Sequence, residues 1–201
     1  STKQIVTRGV LLGGGAEIPI QSMCSVPFTR FDELAAQALE LQEAGCDILR
    51  VALPDMESAE PFRKLHDLLN IPLVADIHFD YKIAIECANA GVDKIRINPG
   101  NIGDESRVKQ VVDICKIKNI PIRVGVNSGS VEKSILNKYG TVTADALVES
   151  AMYHTKLLEK FDFDDIVISM KASNVQLMFD AYKKASELVN YPLHLGVTEA
   201  G

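Results

Sequence analysis

With 201 residues, 47% of them hydrophobic, and a formal net charge of −6, the chain carries enough apolar material for one sizeable core and too much to remain disordered. The acidic balance excludes a general nucleic-acid-binding surface, which requires a basic stripe, and no apolar run approaches the roughly 18 residues that span a bilayer. The start, Ser1 to Gly9, lacks the apolar region of a secretory signal, so a cytoplasmic setting without a membrane partner is expected.

In chain order, residues 1 to 19 hold a short β-like segment and the triplet Gly13-Gly14-Gly15. The triplet does not follow a strand and open a helix, as a dinucleotide fingerprint must, and it predicts a hairpin turn. A first barrel strand is expected at Ile18 to Met23. Apolar periodicity then predicts helices over 32–44, closed by Gly45, and near 57–69, 81–90, 104–118, 144–160 and 174–189, with Asp80, Asp104, Thr143 and Ser173 as N-caps. Between them lie strands at 48–54, 72–79, 94–98, 121–127 and 165–171, and a last one at Pro192 to Val197.

Alternation along these strands separates two faces. Leu49, Val51 and Leu53 oppose Arg50; Ala75, Ile77 and Phe79 oppose Asp76 and His78; Ile95 and Ile97 oppose Arg96 and Asn98. Ile122, Val124 and Val126 likewise oppose Arg123, Gly125 and Asn127, and Ile168 and Met170 oppose Ser169 and Lys171. Each strand is apolar toward its helices and polar toward an interior, increasingly so at its C-terminal end. Two junctions, Ala44-Gly-Cys-Asp-Ile-Leu-Arg50 and Ala90-Gly-Val-Asp-Lys-Ile-Arg96, look like copies of one βα unit.

Repeated β-then-α order implies parallel strands with right-handed crossovers. Polar residues at every strand end favour a closed barrel over a doubly wound sheet, whose site would concentrate at one switch point. The expected fold is therefore α/β, a TIM-type (β/α)8 barrel truncated after the seventh strand, with residues 1–201 forming one substrate-binding barrel domain.

The four cysteines, Cys24, Cys46, Cys87 and Cys115, are scattered without C-x-x-C or His-rich spacing, so this chain specifies no metal or iron–sulfur site of its own. Cys46, Cys87 and Cys115 read as buried thiols, and Cys24 as a packed residue that could face the mouth.

Gathered at one mouth, Arg50, Asp76, His78, Arg96, Asn98, Asn127, Lys171 and Glu199 form a phosphate or diphosphate site: arginine forks match phosphate oxygens, lysine adds a point charge, and Asn and His donate further hydrogen bonds. A salt-bridged interior layer is the competing reading, and the recurrence at nearly every strand end favours a ligand. Taken alone, Lys171 is either an imine-forming nucleophile or a phosphate ligand, His78 an acid, a donor or a packed ring, and Glu199 a proton-handling group or an ion-pairing one. Arg123 lies about 13 Å down its strand from Asn127 and reads as a core ion pair; His66, His154 and His194 read as structural or surface residues.

Five segments carry a resemblance: Val74-Ala-Asp-Ile-His-Phe-Asp-Tyr81, Asp93-Lys-Ile-Arg-Ile-Asn-Pro-Gly-Asn-Ile-Gly103, Gly125-Val-Asn-Ser-Gly-Ser130, Ser169-Met-Lys-Ala-Ser173 and His194-Leu-Gly-Val-Thr-Glu-Ala-Gly201. From about Arg8 to Gly201 the chain resembles the 4-hydroxy-3-methylbut-2-enyl diphosphate synthase family of the methylerythritol phosphate route to isoprenoids. The resemblance implies reductive opening of 2-C-methyl-D-erythritol 2,4-cyclodiphosphate with two electrons from ferredoxin or flavodoxin. It implies a [4Fe-4S] cluster held by three cysteines and a glutamate in a separate C-terminal domain outside this chain, and a homodimer that brings that domain over the partner's barrel. It makes Arg50, His78, Arg96, Asn98, Asn127 and Lys171 diphosphate ligands, Glu199 the acid–base group and Asp76 a further polar catalytic residue. A barrel lacking the cluster domain is expected to be inactive alone. An imine-forming aldolase using Lys171 and a non-catalytic scaffold are the competing functions.

Overall fold

The computed structural model describes residues 2–195. The chain opens with an antiparallel hairpin, β1 (Ile5–Thr7) and β2 (Val10–Leu12), in which Thr7 pairs with Val10. Only Arg8 and Gly9 form the turn, both at positive φ (42° and 80°), as a two-residue hairpin matched to strand twist requires. The hairpin therefore turns at Arg8-Gly9 and not at Gly13–Gly15, whose positive φ values instead carry the chain away from β2.

Six parallel strands follow in chain order within one sheet: β3 (Gln21–Met23), β4 (Ile48–Ala52), β5 (Leu73–Ile77), β6 (Lys94–Ile97), β7 (Ile122–Asn127) and β8 (Ile166–Lys171). The first is shorter than the sequence suggests. Pro19 has no N–H to give to a ladder, and Ile18 and Ile20 are 89% and 63% exposed. Beyond β8, Leu193 bridges Ile168, and the Ile168 N–H donates to the Pro192 carbonyl while the His194 N–H donates to that of Ile168. This is the start of the expected seventh strand, whose remainder lies outside the described residues.

Between the strands run α1 (Phe31–Glu43), α2 (Ala59–Leu68), α3 (Tyr81–Asn89), the single turn α4 (Pro99–Ile102), α5 (Glu105–Lys118), α6 (Lys133–Tyr139), α7 (Ala144–Lys160) and α8 (Val175–Leu188). The side chains of Asp80, Asp104 and Thr143 cap α3, α5 and α7 as expected. For α8 the cap is Asn174 and not Ser173: the Asn174 side-chain oxygen accepts from the Leu177 N–H, and an amide oxygen reaches the third N–H of a helix as well as a hydroxyl does. The short α6, closed by Gly140 at φ 76°, was not anticipated from periodicity because seven residues make too few turns to show any.

The two copied junctions fold alike. Gly45 and Gly91 follow the last helical residue at φ 96° and 91°, where a side chain would be strained. Two residues later, Asp47 accepts from the Ile20 N–H at 2.8 Å and Asp93 from the Leu73 N–H at 2.9 Å. Each carboxylate thus ties the start of its own strand to the preceding one.

The outward residues Leu49, Val51, Ala75, Ile77, Ile95, Ile97, Val124, Val126 and Ile168 are buried against the helices. On the inner face, the bottom is apolar and separately packed: Ile48, Val74 and Val167 meet Ile5 and Leu12 of the hairpin. The hairpin is the floor of the half-barrel, and the inward Arg50, Asp76 and Arg96 lie further along their strands.

Candidate functional site

Above that floor, three of the four neighbouring strands β4 to β7 point cations inward. Arg50 comes from β4, Lys94 and Arg96 from β6, and Arg123 from β7, while β5 contributes the carboxylate of Asp76. Asp76, with a side chain 5% exposed, accepts from Arg96 Nη1 at 3.1 Å and faces Arg50 Nε at 3.6 Å. It is the only acidic group paired with these cations among the described residues. Arg123 donates from Nε to the Ser169 hydroxyl at 2.9 Å, and among the described residues its Nη1 is buried without a hydrogen-bond partner, as are Nε of Arg50 and of Arg96.

Burial sets the electrostatics. It lowers the Arg50 pKa, with Asp76 opposing the shift and Arg96 adding to it. It pushes Arg123 down to about 9, with Arg50 and Arg96 adding to the effect, and Lys94 down to about 7, with Arg123 and Arg50 contributing. The His194 imidazole is pushed down to about 3, first by desolvation and then by Arg123, Lys94 and Arg50. Among the described residues this half-barrel holds an excess of positive charge, which favours an anion.

Arg96 is steered by a missing side chain. A Cβ at Gly125 on β7 would lie 2.4 Å from Arg96 Nε and 2.7 Å from an Nη, so only glycine leaves room for the guanidinium in the position from which Nη1 reaches Asp76 on β5. The backbone of Gly125 is ordinary strand; the requirement is space.

Higher up, at the strand ends, Asn98 is 2% exposed and its amide is occupied: Oδ1 accepts from the Gly100 N–H at 3.1 Å and Nδ2 donates to Ser130 Oγ at 2.7 Å. Ser130 Oγ also accepts from the Asn127 N–H at 3.3 Å, so Asn98 and Asn127 share one clamp between the loops after β6 and β7. Behind this clamp, His154 on α7 contacts Glu132 at 2.5 Å, and its ring lies 3.3 Å from where a Gly100 Cβ would be. Lys171 is exposed at the end of β8 opposite Asn127 in register, and His78 is exposed just past β5 against Phe79. Glu199 lies outside the described residues.

The sequence reading passed over Lys94 and left Arg123 and His194 outside the site. Lys94 shares parity with Arg96 and Asn98, so alternation alone places it inward. Arg123 has a hydroxyl partner in place of the expected ion pair; no carboxylate lies within ion-pair distance of it among the described residues. His194, read as a structural or surface residue, is a half-buried ring influenced by Arg123, Lys94 and Arg50. A surface groove of about 400 Å³ along α6 and α7, lined by Glu132, Glu149 and Tyr153, includes none of the inward cations.

Residues 2–201 match the family model described as the GcpE TIM-barrel domain. The chain belongs to the GcpE family. It is 54% identical over 200 residues to the 4-hydroxy-3-methylbut-2-en-1-yl diphosphate synthase (flavodoxin) of Symbiobacterium thermophilum, covering all of this chain and 54% of that protein. The Clostridium perfringens protein of the same description is also 54% identical, with 57% of it covered. The chain thus spans about half the length of the curated relatives it matches. Among solved structures, dihydropteroate synthase of Yersinia pestis aligns over 96% of this chain and 75% of its own, with TM-score 0.68 and 12% identity, and that of Thermus thermophilus over 95% and 75%, with TM-score 0.66 and 12% identity. At such identity the likeness concerns the barrel fold alone.

Proposed function

We propose that the interior of this GcpE barrel binds 2-C-methyl-D-erythritol 2,4-cyclodiphosphate, as part of a flavodoxin-dependent 4-hydroxy-3-methylbut-2-en-1-yl diphosphate synthase. The observation that carries the reading is the cation excess: among the described residues, Arg50, Lys94, Arg96 and Arg123 gather around one carboxylate, Asp76, which pairs with Arg96 and Arg50 only, and three guanidinium nitrogens are buried without a hydrogen-bond partner. A cyclic diphosphate offers two anionic phosphoryl groups of matching charge. Relatives over half identical bear that activity in their names, and flavodoxin with it.

In this reading Arg96, aimed by Gly125 and braced by Asp76, takes phosphate oxygens bidentately with Arg50 and Arg123. Lys171 and His78 at the rim hold the outer phosphoryl group, and the Asn98–Ser130–Asn127 clamp fixes the loops that close over it. Glu199 handles protons at the ring being opened. Holding the diphosphate arm rigidly presents the carbon skeleton to the open side of the mouth. An imine-forming lysine is activated by desolvation, whereas Lys171 is exposed, which favours the phosphate-ligand role over the aldolase role.

The iron–sulfur cluster of this family does not fit the cysteines of this chain. All four are buried, and burial pushes Cys24 up to about 11 and Cys87 and Cys115 up to about 12, the reverse of what a thiolate ligand needs. Among the described residues no group of three or more His, Cys, Asp or Glu could hold a metal ion. The electrons are therefore assigned to residues other than these, and the role proposed for this barrel is binding, orientation and proton handling. Anaerobic conversion of the cyclodiphosphate by the intact protein with reduced flavodoxin tests the function. Formation of the linear enyl diphosphate, lost at least a hundredfold in Arg96→Ala, supports it; an intact, cluster-loaded protein that leaves the cyclodiphosphate unchanged overturns it.

A further inference from the structure

Lys94 lies in the barrel at 1% exposure, one strand period below Arg96 on the same face of β6. Among the described residues around it, cations outnumber carboxylates. β4 presents Arg50, β7 presents Arg123, and the segment after α8 presents His194, all coupled to it electrostatically. β6 itself adds Arg96. β5 offers Asp76, but that carboxylate is already held by Arg96 at 3.1 Å and faces Arg50 at 3.6 Å. β8 adds only the Ser169 hydroxyl, taken by Arg123, with Lys171 exposed above it. The β1–β2 hairpin beneath adds Ile5 and Leu12, and β3 adds Gln21, whose Oε1 is buried without a partner.

An ammonium in this position is opposed by burial and by Arg123 and Arg50, and an incoming dianion offsets that repulsion. We infer that Lys94 is the proton-accepting member of the anion site: neutral in the empty barrel in mildly alkaline solution, and protonated from solvent when a diphosphate fills it. Binding then carries one proton onto Nζ, and the floor of the site changes charge with occupancy. This rests on the diphosphate-binding reading above and adds a residue and a proton to it. Burial and the neighbouring arginines, which push Lys94 down to about 7, place the coupling in the physiological range.

A cyclic diphosphate suits the test because each phosphorus bears only one, strongly acidic, oxygen, so the ligand itself does not titrate near neutrality. Calorimetry of the intact protein with 2-C-methyl-D-erythritol 2,4-cyclodiphosphate in two buffers of different ionisation enthalpy counts the protons taken up. With a free pKa of about 7, uptake at Lys94 is about 0.9 proton at pH 8 and about 0.1 at pH 6. The affinity falls by about thirtyfold more between pH 6 and pH 8.5 in the wild type than in Lys94→Met, whose isosteric side chain cannot titrate. Saturable binding with no uptake difference between wild type and Lys94→Met overturns the inference and leaves the ligand reading standing. Absence of binding at every pH overturns the ligand reading and the inference with it. Titration of ε-¹³C-lysine signals in the empty wild-type protein needs no variant; a Lys94 resonance that titrates near the ordinary lysine value overturns the inference whatever the ligand does.

Discussion

Asp76→Asn isolates the electrostatic core of the site, because it removes one negative charge and leaves the shape. At 3.1 and 3.6 Å, Asp76 attracts each of Arg96 and Arg50 by roughly 5 kcal/mol at an effective dielectric of about 20. Most of that is offset by the cost of burying the charges, but removing one partner strands the others. Breaking a buried pair in this way costs about 3–5 kcal/mol, a drop in Tm on the order of 10 °C for a chain of this size. Urea and thermal denaturation of the empty protein provide the assay. The same variant gives the cyclodiphosphate less competition for the guanidinium groups, so the ligand should raise its Tm further than it raises that of the wild type. A variant as stable as the wild type within 1 kcal/mol, with an equal ligand-induced shift, would refute the view that Asp76 is the stand-in counter-ion for a missing anion.

Other outcomes follow from the same geometry. Gly125→Ala places a Cβ where Arg96 Nε now lies, 2.4 Å away; the flexible arginine yields, so the fold should survive while diphosphate affinity falls at least tenfold, as titration of the folded variant will show. Lys94→Met should stabilise the empty protein. Because the folded pKa of about 7 lies below the unfolded value, the unfolded chain binds more protons between them and wild-type stability rises with pH across that window. The gain from the substitution is thus roughly 4 kcal/mol at pH 7 and roughly 1 kcal/mol at pH 10, measured by denaturant unfolding at both. Ile5→Ala opens a hole in the floor and should cost about 2–5 kcal/mol by the same assay, yet leave diphosphate affinity unchanged, since the hairpin contributes no ligand.

The fold was legible in the sequence wherever one face of a strand is packed and the other is not. Leu49, Val51, Ile95 and Ile97 declare the helix side by their alternation with Arg50 and Arg96, and the repeated Ala-Gly-x-Asp junction marks helix ends and strand starts at once. Local chemistry was less decisive. Gly13–Gly15 advertises a turn more loudly than Arg8-Gly9, yet the strand pairing of Thr7 with Val10 fixes the turn at the latter. Ser173 and Asn174 are both capable caps, and the helix start chooses between them. The site was legible as a collection of inward polar residues, but its balance was not. Arg123 read as half of an ion pair because a buried arginine usually is one, and only the three-dimensional arrangement shows that its partner is the Ser169 hydroxyl. His194 joins the cluster through a segment tied to β8, where the Tyr182 hydroxyl donates to the His194 carbonyl at 2.6 Å, a contact no periodicity announces. Lys94 is the opposite case: its parity was readable, and its importance lies in neighbours that come from other strands.

Direct calorimetric titration of the folded protein with the cyclodiphosphate at neutral pH, beside Arg96→Ala, tests the central claim. The account predicts saturable binding of one ligand per barrel by the wild type and its loss in Arg96→Ala with the circular dichroism unchanged. A folded wild type that binds nothing, or an Arg96→Ala variant that binds equally well, would contradict it.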